Sequence, residues 1–419
     1  GPEKKHRKTG AYNTEEHRRA VLDVARESMI LLKNEDQVLP LQAESGCKVA
    51  VIGANAAAIH SNGGGSAEIK ALYEISPLMG IKKLLGGNVK VSYAPGYVIP
   101  DKKEASEINW QAASTETAEN TEKESTVSGR TLDEKQQEAL AEAVALAKAS
   151  DIVIFVGGLN HDFDVEGLDR VNMKLPYGQD EVIDALLKAV PDTVVCMYAG
   201  APVEMPWAEK AKAILWSYYA GMEGGTALAE ILSGKVNPSG KLAETFIRDA
   251  SQCPAHTIGT FGKKDRVEYR EGVMVGYRYY DTKKTDVLFP FGHGLSYTAF
   301  TYNDLEIIRQ QENGRQTVKV SCSVTNTGEH AGKETVQIYV APEQKKDRPV
   351  HELKAFEKVG LDAGETKRIC VILEERDFSH YDTDKKMPVP VNGTYEIQVG
   401  ASSTDICLCG KIDLFFAEG

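Results

Sequence analysis

The stretch that most restricts how this chain can fold is Ile152-Val153-Ile154-Phe155-Val156, which runs straight into Gly157 and Gly158. It carries no polar residue at either phase of a strand's alternation, so it needs apolar cover on both faces. That is the environment of an inner strand in a parallel sheet with helices above and below. The loop that follows gathers five charged side chains, Asp162, Asp164, Glu166, Asp169 and Arg170. Open α/β sheets place their ligand sites at the carboxyl ends of strands, so this loop is the first candidate for a site. The competing reading is a solvated acidic surface loop.

Strand-like and helix-like segments alternate around it. Asn13, with Glu16 three residues on, is read as an N-cap pair. The helix that follows would turn Ala20, Val21, Val24, Ala25 and Ser28 to one face. Lys48 to Ile52 reads as a strand ending in glycine, and Gly63-Gly64-Gly65 allows a close approach of backbone to a ligand or another domain. Helices are read at 133–149, 179–189 and 224–232, and strands at 193–198 and 213–218. Residues 1–250 are therefore assigned an α/β sandwich with a mainly parallel sheet. Within them, 101–131 is polar, rich in Glu, Ser, Thr and Lys, and is read as a surface insertion.

The texture changes after residue 250. Residues 251–300 are rich in Gly, Tyr and Phe and are read as a linker and interdomain packing segment. From 301 to 419 the pattern is alternating strands, such as Thr317–Thr325 and Thr394–Val399, punctuated by Asn326-Thr-Gly328, Ala363-Gly364 and Asn392-Gly393. This predicts an all-β immunoglobulin-like sandwich of the fibronectin type III kind. Asn392-Gly-Thr394 is a glycosylation sequon by pattern and is read as a hairpin turn.

Composition excludes several function classes. The net charge of −12 over 419 residues argues against nucleic acid and anionic membranes as partners. No apolar run approaches the roughly 18 residues of a membrane span. The glycine loop lacks the spacing of a dinucleotide or phosphate cradle, and no nucleotide cofactor is read from it. The nine histidines and seven cysteines show no metal-ligand spacing. Cys196, Cys322 and Cys370 are read as small buried hydrophobes. No leader segment is visible, and Gly1-Pro2 looks like the remnant of a protease cut. The compartment stays open, with periplasmic or extracellular placed ahead of cytoplasmic.

A series of motifs then carries a resemblance. They are Ser28-Met-Ile-Leu-Leu-Lys-Asn34, Val51-Ile-Gly-Ala-Asn55, Gly63-Gly-Gly-Ser-Ala67, Glu166-Gly-Leu-Asp-Arg170, Met173-Lys-Leu-Pro176 with Gln179, Asn237-Pro-Ser-Gly-Lys-Leu242, Gly276-Tyr-Arg-Tyr-Tyr280 and Phe289-Pro-Phe-Gly-His-Gly-Leu-Ser-Tyr297. In this order they resemble the C-terminal part of a family 3 glycoside hydrolase of the β-glucosidase type. The resemblance implies the same α/β sandwich and fibronectin type III-like pair. It also implies a preceding (β/α)8 barrel that binds the sugar and carries a nucleophilic aspartate in a Ser-Asp-Trp stretch. None of Trp110, Trp207 and Trp216 follows Ser-Asp, and eight βα units do not fit ahead of Asn13. The barrel is therefore expected to be absent from this chain and supplied in cis or in trans.

A retaining glycosidase needs two carboxyl groups about 5 Å apart, one nucleophile and one acid/base. By motif Glu166 matches the acid/base, with Asp164 as runner-up because it alternates with Glu166 along the loop. The role requires a raised pKa, from repulsion by Asp164 and Asp169 or from desolvation at a closed interface. Arg170 is expected to pair with Asp169. Asn160, Arg170 and Ser66 are placed near the substrate, which would be an oligo- or aryl-β-glycoside. No metal or other cofactor is implied. The chain alone is expected to be inactive. The alternative is a non-catalytic, carbohydrate-associated binding or scaffolding protein.

Overall fold

The computed structural model describes residues 10–100, 132–262, 265–312, 315–343 and 348–416. The expected surface insertion at 101–131 lies outside the described residues. The described chain begins with helix α1 (Glu15–Ser28), followed by strands β1 (Ile30–Asn34) and β2 (Lys48–Ile52). Helices α2 (Pro77–Leu85), α3 (Leu132–Lys148), α4 (Gln179–Ala189) and α5 (Gly224–Leu232) alternate with β3 (Lys90–Ala94), β4 (Ile152–Gly158), β5 (Val194–Tyr198) and β6 (Ala213–Trp216). The six strands form one sheet in the order β1-β6-β5-β4-β2-β3. All neighbours run parallel except the edge strand β1, which pairs antiparallel with β6.

The apolar run in β4 sits where its composition requires, between β5 and β2. Ile154 and Val156 enter one core with α1, α2 and α5, and Val153 and Phe155 enter the other with α3 and α4. Each of these side chains is at most 1% exposed, so each contributes about 1.5–3 kcal/mol of burial. The sheet is thus covered on both sides, as expected for an α/β sandwich. The short connections put the loops after β2, β4, β5 and β6 together at the carboxyl ends of the strands.

Several local expectations are corrected. Thr14, not Asn13, caps α1, because its hydroxyl accepts from the His17 N–H at 3.2 Å while Asn13 adopts a positive φ. Val24 is 68% exposed, and the buried side of α1 runs through Ala25 to Met29. Cys370 is exposed, because on β11 (Thr366–Leu373) it alternates with the inward Ile369 and Leu373. The seven cysteines are all free thiols. Asn392-Gly393 does not close a hairpin. It joins β13 (Met387–Pro390), which pairs with β12 (Ser379–Asp382), to β14 (Gly393–Gly400), which pairs with β9 (Gly332–Pro342) and β15 (Ile406–Leu414).

The C-terminal strands form two antiparallel sheets, β10-β9-β14-β15 and β11-β8-β7, with β7 at Phe300–Glu312, β8 at Arg315–Asn326 and β10 at Glu352–Leu361. Their inward residues, among them Val320, Cys322, Ile338, Val340, Ile369, Tyr395 and Ile397, make one core. This is the sandwich expected from the alternating pattern.

Aromatic residues between the sheets fasten the two halves together. Tyr277 stacks on Phe291 at 4.6 Å, and its hydroxyl oxygen accepts from the Leu353 N–H at 2.8 Å. His351 bonds Asp281 at 3.0 Å and Gln398 at 2.8 Å, all within the joint. Lys241 pairs with the buried Glu334 at 2.9 Å. Gln337 donates to the carbonyls of Gly292 at 3.0 Å and Ala401 at 2.6 Å and accepts from the Tyr339 hydroxyl at 2.6 Å. Replacing it with an apolar isostere leaves these groups buried and unanswered. Gln337→Met should therefore cost about 3 kcal/mol, read as a lower urea midpoint with an unchanged slope.

Candidate active site

The site is built where β4 ends. Gly158 has φ +127°, and a Cβ there would overlap the carbonyl of Tyr198, so no other residue fits without displacing β5. The wholly buried Gln179, at the start of α4, donates to the Gly158 carbonyl at 2.8 Å and accepts from its N–H at 2.8 Å. Leu159 N–H donates to Tyr198 at 2.8 Å. The loop therefore leaves the sheet from a fixed point.

Asn160 organises the first turn. Its carbonyl accepts from Phe163 and Asp164, its side-chain oxygen accepts from the Asp162 N–H at 3.0 Å, and its amide donates to the Tyr177 hydroxyl at 3.1 Å. It is 8% exposed, which makes it a scaffold of the loop in this structure. The chain then crosses the glycine loop. Gly64 N–H donates to the Asp164 carbonyl at 3.1 Å, and Ser66 N–H donates to the Glu166 carboxylate at 2.8 Å. Gly65 has φ +76°, and a Cβ there would come within 2.5 Å of the Glu166 Cβ. The three glycines thus admit the backbone of the acidic loop.

The two candidate acids have different surroundings. One carboxylate oxygen of Asp164 accepts from the Gly200 N–H at 2.6 Å and from the Tyr219 hydroxyl at 2.9 Å. Glu166 is exposed, and Gly167 after it faces open space. The Ser66 hydroxyl and N–H hold the Glu166 carboxyl below its ordinary value. The raised pKa expected from Asp164 and Asp169 is not found, because in water the charges are screened and the nearest donors favour the carboxylate. Arg170 also departs from expectation. It donates to the Pro202 carbonyl at 2.9 Å rather than pairing with Asp169, and its other terminal nitrogen is buried with no partner among the described residues.

Beside Arg170 opens a cleft of about 710 Å³, lined by Glu244, Ile247, Phe261, Val275 and Tyr280 among others. Burial raises the Glu244 carboxyl and Arg170 partly offsets that. Under the glycine loop, burial and then His161 press the His60 imidazole down to about 4. Burial and then Asp164 raise the Tyr219 phenol, so it remains a donor.

The structure brings Ser66, Glu166, Asp164 and Asn160 together, and sets Arg170 on the cleft side. Sequence reasoning missed Tyr219, Gly200 and the clamping role of Gln179. The available signal was positional, since Gly200 and Tyr219 each follow a buried strand at the same end of the sheet as the acidic loop.

Comparison with known proteins places this arrangement. The pattern of the glycosyl hydrolase family 3 C-terminal domain matches residues 29–297, and that of a fibronectin type III-like domain matches 334–403. Over 398 residues the chain is 40% identical to thermostable beta-glucosidase B of Acetivibrio thermocellus, covering 95% of this chain and 48% of that protein. It is 36% identical over 405 residues to an exo-alpha-(1->6)-L-arabinopyranosidase of Bifidobacterium breve, covering 94% and 48%. The crystal structure of a Bifidobacterium adolescentis GH3 beta-glucosidase superposes with a TM-score of 0.80 at 35% identity, covering 96% of this chain and 54% of that one. The chain spans about half the length of the relatives it matches.

Two substitutions test the local geometry. Ser66→Ala removes the hydroxyl and should raise the Glu166 carboxyl toward its ordinary value, followed by carboxyl NMR titration. The sign is that of a depressed acid: whatever stability Ser66 lends is present above the unfolded-state pKa and is lost as pH falls through the folded value. Gln179→Leu strips both backbone groups of Gly158 of partners and should cost about 2–4 kcal/mol in chemical denaturation.

Proposed function

This chain belongs to glycosyl hydrolase family 3, and on that premise we propose that it supplies Glu166 as the general acid/base to a sugar pocket carried by a (β/α)8 barrel, in cis or in trans. The complete enzyme would be a retaining β-glycosidase acting on terminal β-linked sugars of oligo- or aryl-β-glycosides. One observation carries the reading. Glu166 stands exposed on a loop whose backbone is seated against Gly65, with its carboxylate oriented by Ser66. A carboxyl presented in this way can enter another domain's pocket without being rebuilt.

In the first step the protonated Glu166 gives its proton to the glycosidic oxygen as the C–O bond breaks, while the barrel carboxylate forms a glycosyl ester. In the second, the Glu166 carboxylate takes a proton from water as that water attacks the anomeric carbon and the ester bond breaks. Removal of solvent on docking opposes the Ser66 contribution and lifts the carboxyl toward the range an acid needs.

Exposed apolar residues close in the chain to the glycine and acidic loops support a covering domain. Ile69 and Leu72 lie beyond the glycine loop at 67% and 60% exposure, and Val171 beside the cleft is 96% exposed. Large exposed apolar side chains are a feature of interaction surfaces.

The test joins this chain to a barrel-bearing half and follows hydrolysis of alkyl and nitrophenyl β-glucosides. The chain alone should show no turnover. Glu166→Gln in the joined enzyme should lower kcat/KM on the alkyl glycoside by about 10²–10⁴-fold, and azide should restore turnover of the nitrophenyl glycoside. If the joined enzyme never exceeds its Glu166→Gln control, the hydrolase reading fails and a carbohydrate-associated binding role replaces it.

A further inference from the structure

We propose that Asp164 and Tyr219 are positioning residues that hold the Glu166 loop at one height above the sheet, so that Asp164 serves as a strut rather than as a second acid. The inference rests on the reading of Glu166 as the acid/base.

Asp164 and Glu166 are two residues apart, and their side chains are tied to different loops, that of Glu166 to Ser66 after β2. Asp164 is bonded through its side chain to Gly200, after β5, and to Tyr219, after β6. Its carbonyl is bonded to Gly64, after β2. One residue of the acidic loop is therefore connected to the loops after β2, β5 and β6 at this edge of the sheet. The Gly200 N–H and the Tyr219 hydroxyl converge on the same carboxylate oxygen. A proton on that oxygen would confront two donors, so the arrangement suits a fixed acceptor and not a group that cycles its proton.

Tyr219 is itself confined. Its ring lies 6.4 Å from His60, whose own ring lies 5.8 Å from His161 on the acidic loop. His161 in turn bonds the Asn62 carbonyl at 2.7 Å. The phenol ring thus lies against Gly63 of the glycine loop while its hydroxyl holds Asp164 of the acidic loop. Proton transfer falls off steeply with misplacement, and an error near 1 Å can cost about 10²-fold.

The closing experiment uses the chain joined to a barrel-bearing half, with an alkyl β-glucoside and a nitrophenyl β-glucoside as paired substrates. Tyr219→Phe removes one hydroxyl, and Asp164→Ala removes the acceptor. Each should lower kcat/KM on the alkyl glycoside by about tenfold to a hundredfold, with KM nearly unchanged. On the nitrophenyl glycoside, which needs little help from the acid, the change should stay below about threefold. Asp164→Asn keeps an acceptor for the Gly200 N–H and should recover part of the loss. In the chain alone, amide exchange at Ser66 should quicken in Tyr219→Phe. Equal losses on both substrates, no loss on either, or unchanged exchange at Ser66 overturns the proposal. Glu166→Gln is measured alongside. If it loses nothing, the acid assignment fails and takes the strut's catalytic meaning with it. If it loses activity while the strut variants do not, only the positioning role fails.

Discussion

Gln179 answers both backbone groups of Gly158, and the rest of the site depends on that clamp. A strand buried on both faces has to end somewhere, and its last peptide leaves the ladder with polar groups that water cannot reach. Here a side chain from the next helix supplies both partners. The same helix begins at that residue, so the exit of the strand and the start of α4 are one construction. The loop between them can then be acidic and open without loosening the sheet beneath it.

From that anchored base the loop separates two carboxyl groups by environment. Asp164 is drawn inward onto a main-chain N–H and a phenol, while Glu166 is left in water with one main-chain donor. The Ser66 hydroxyl and N–H hold the Glu166 carboxyl low, and water screens the three acids close by in sequence. A covering domain would remove that water and change the balance without altering a residue of this chain. The depressed carboxyl is that of the uncovered surface.

The fibronectin type III-like sandwich is not loosely appended. Lys241 and Glu334 form a buried pair across the joint, Gln337 donates to the Gly292 carbonyl of the preceding segment, and Tyr277 sits against Phe291, Tyr339 and His351. The ion pairs of Glu27 with Lys333 and Lys358 tie α1 to β9 and β10. Exposed pairs of this kind contribute little, whereas the buried amide and aromatic contacts resist separation. The two halves thus present the acidic loop on a stiff base.

The sequence by itself determined the layers of the fold. The unbroken apolar run of β4 demands cover on both faces, the alternation after residue 300 demands one buried face, and helix 179–189 was readable to the residue. It also singled out Glu166 and the glycine loop by motif. It did not disclose that Thr14 rather than Asn13 caps α1, that Val24 faces solvent, or that Arg170 turns to Pro202 instead of Asp169, because each depends on what packs alongside. Only the tertiary structure decided the division of labour between Asp164 and Glu166. Gly200 and Tyr219 lie 36 and 55 residues away from Asp164 along the chain, and periodicity carries no information about contacts of that range. They meet because parallel strands deliver their following loops to one edge, where a side chain's role is set by the neighbours that edge supplies.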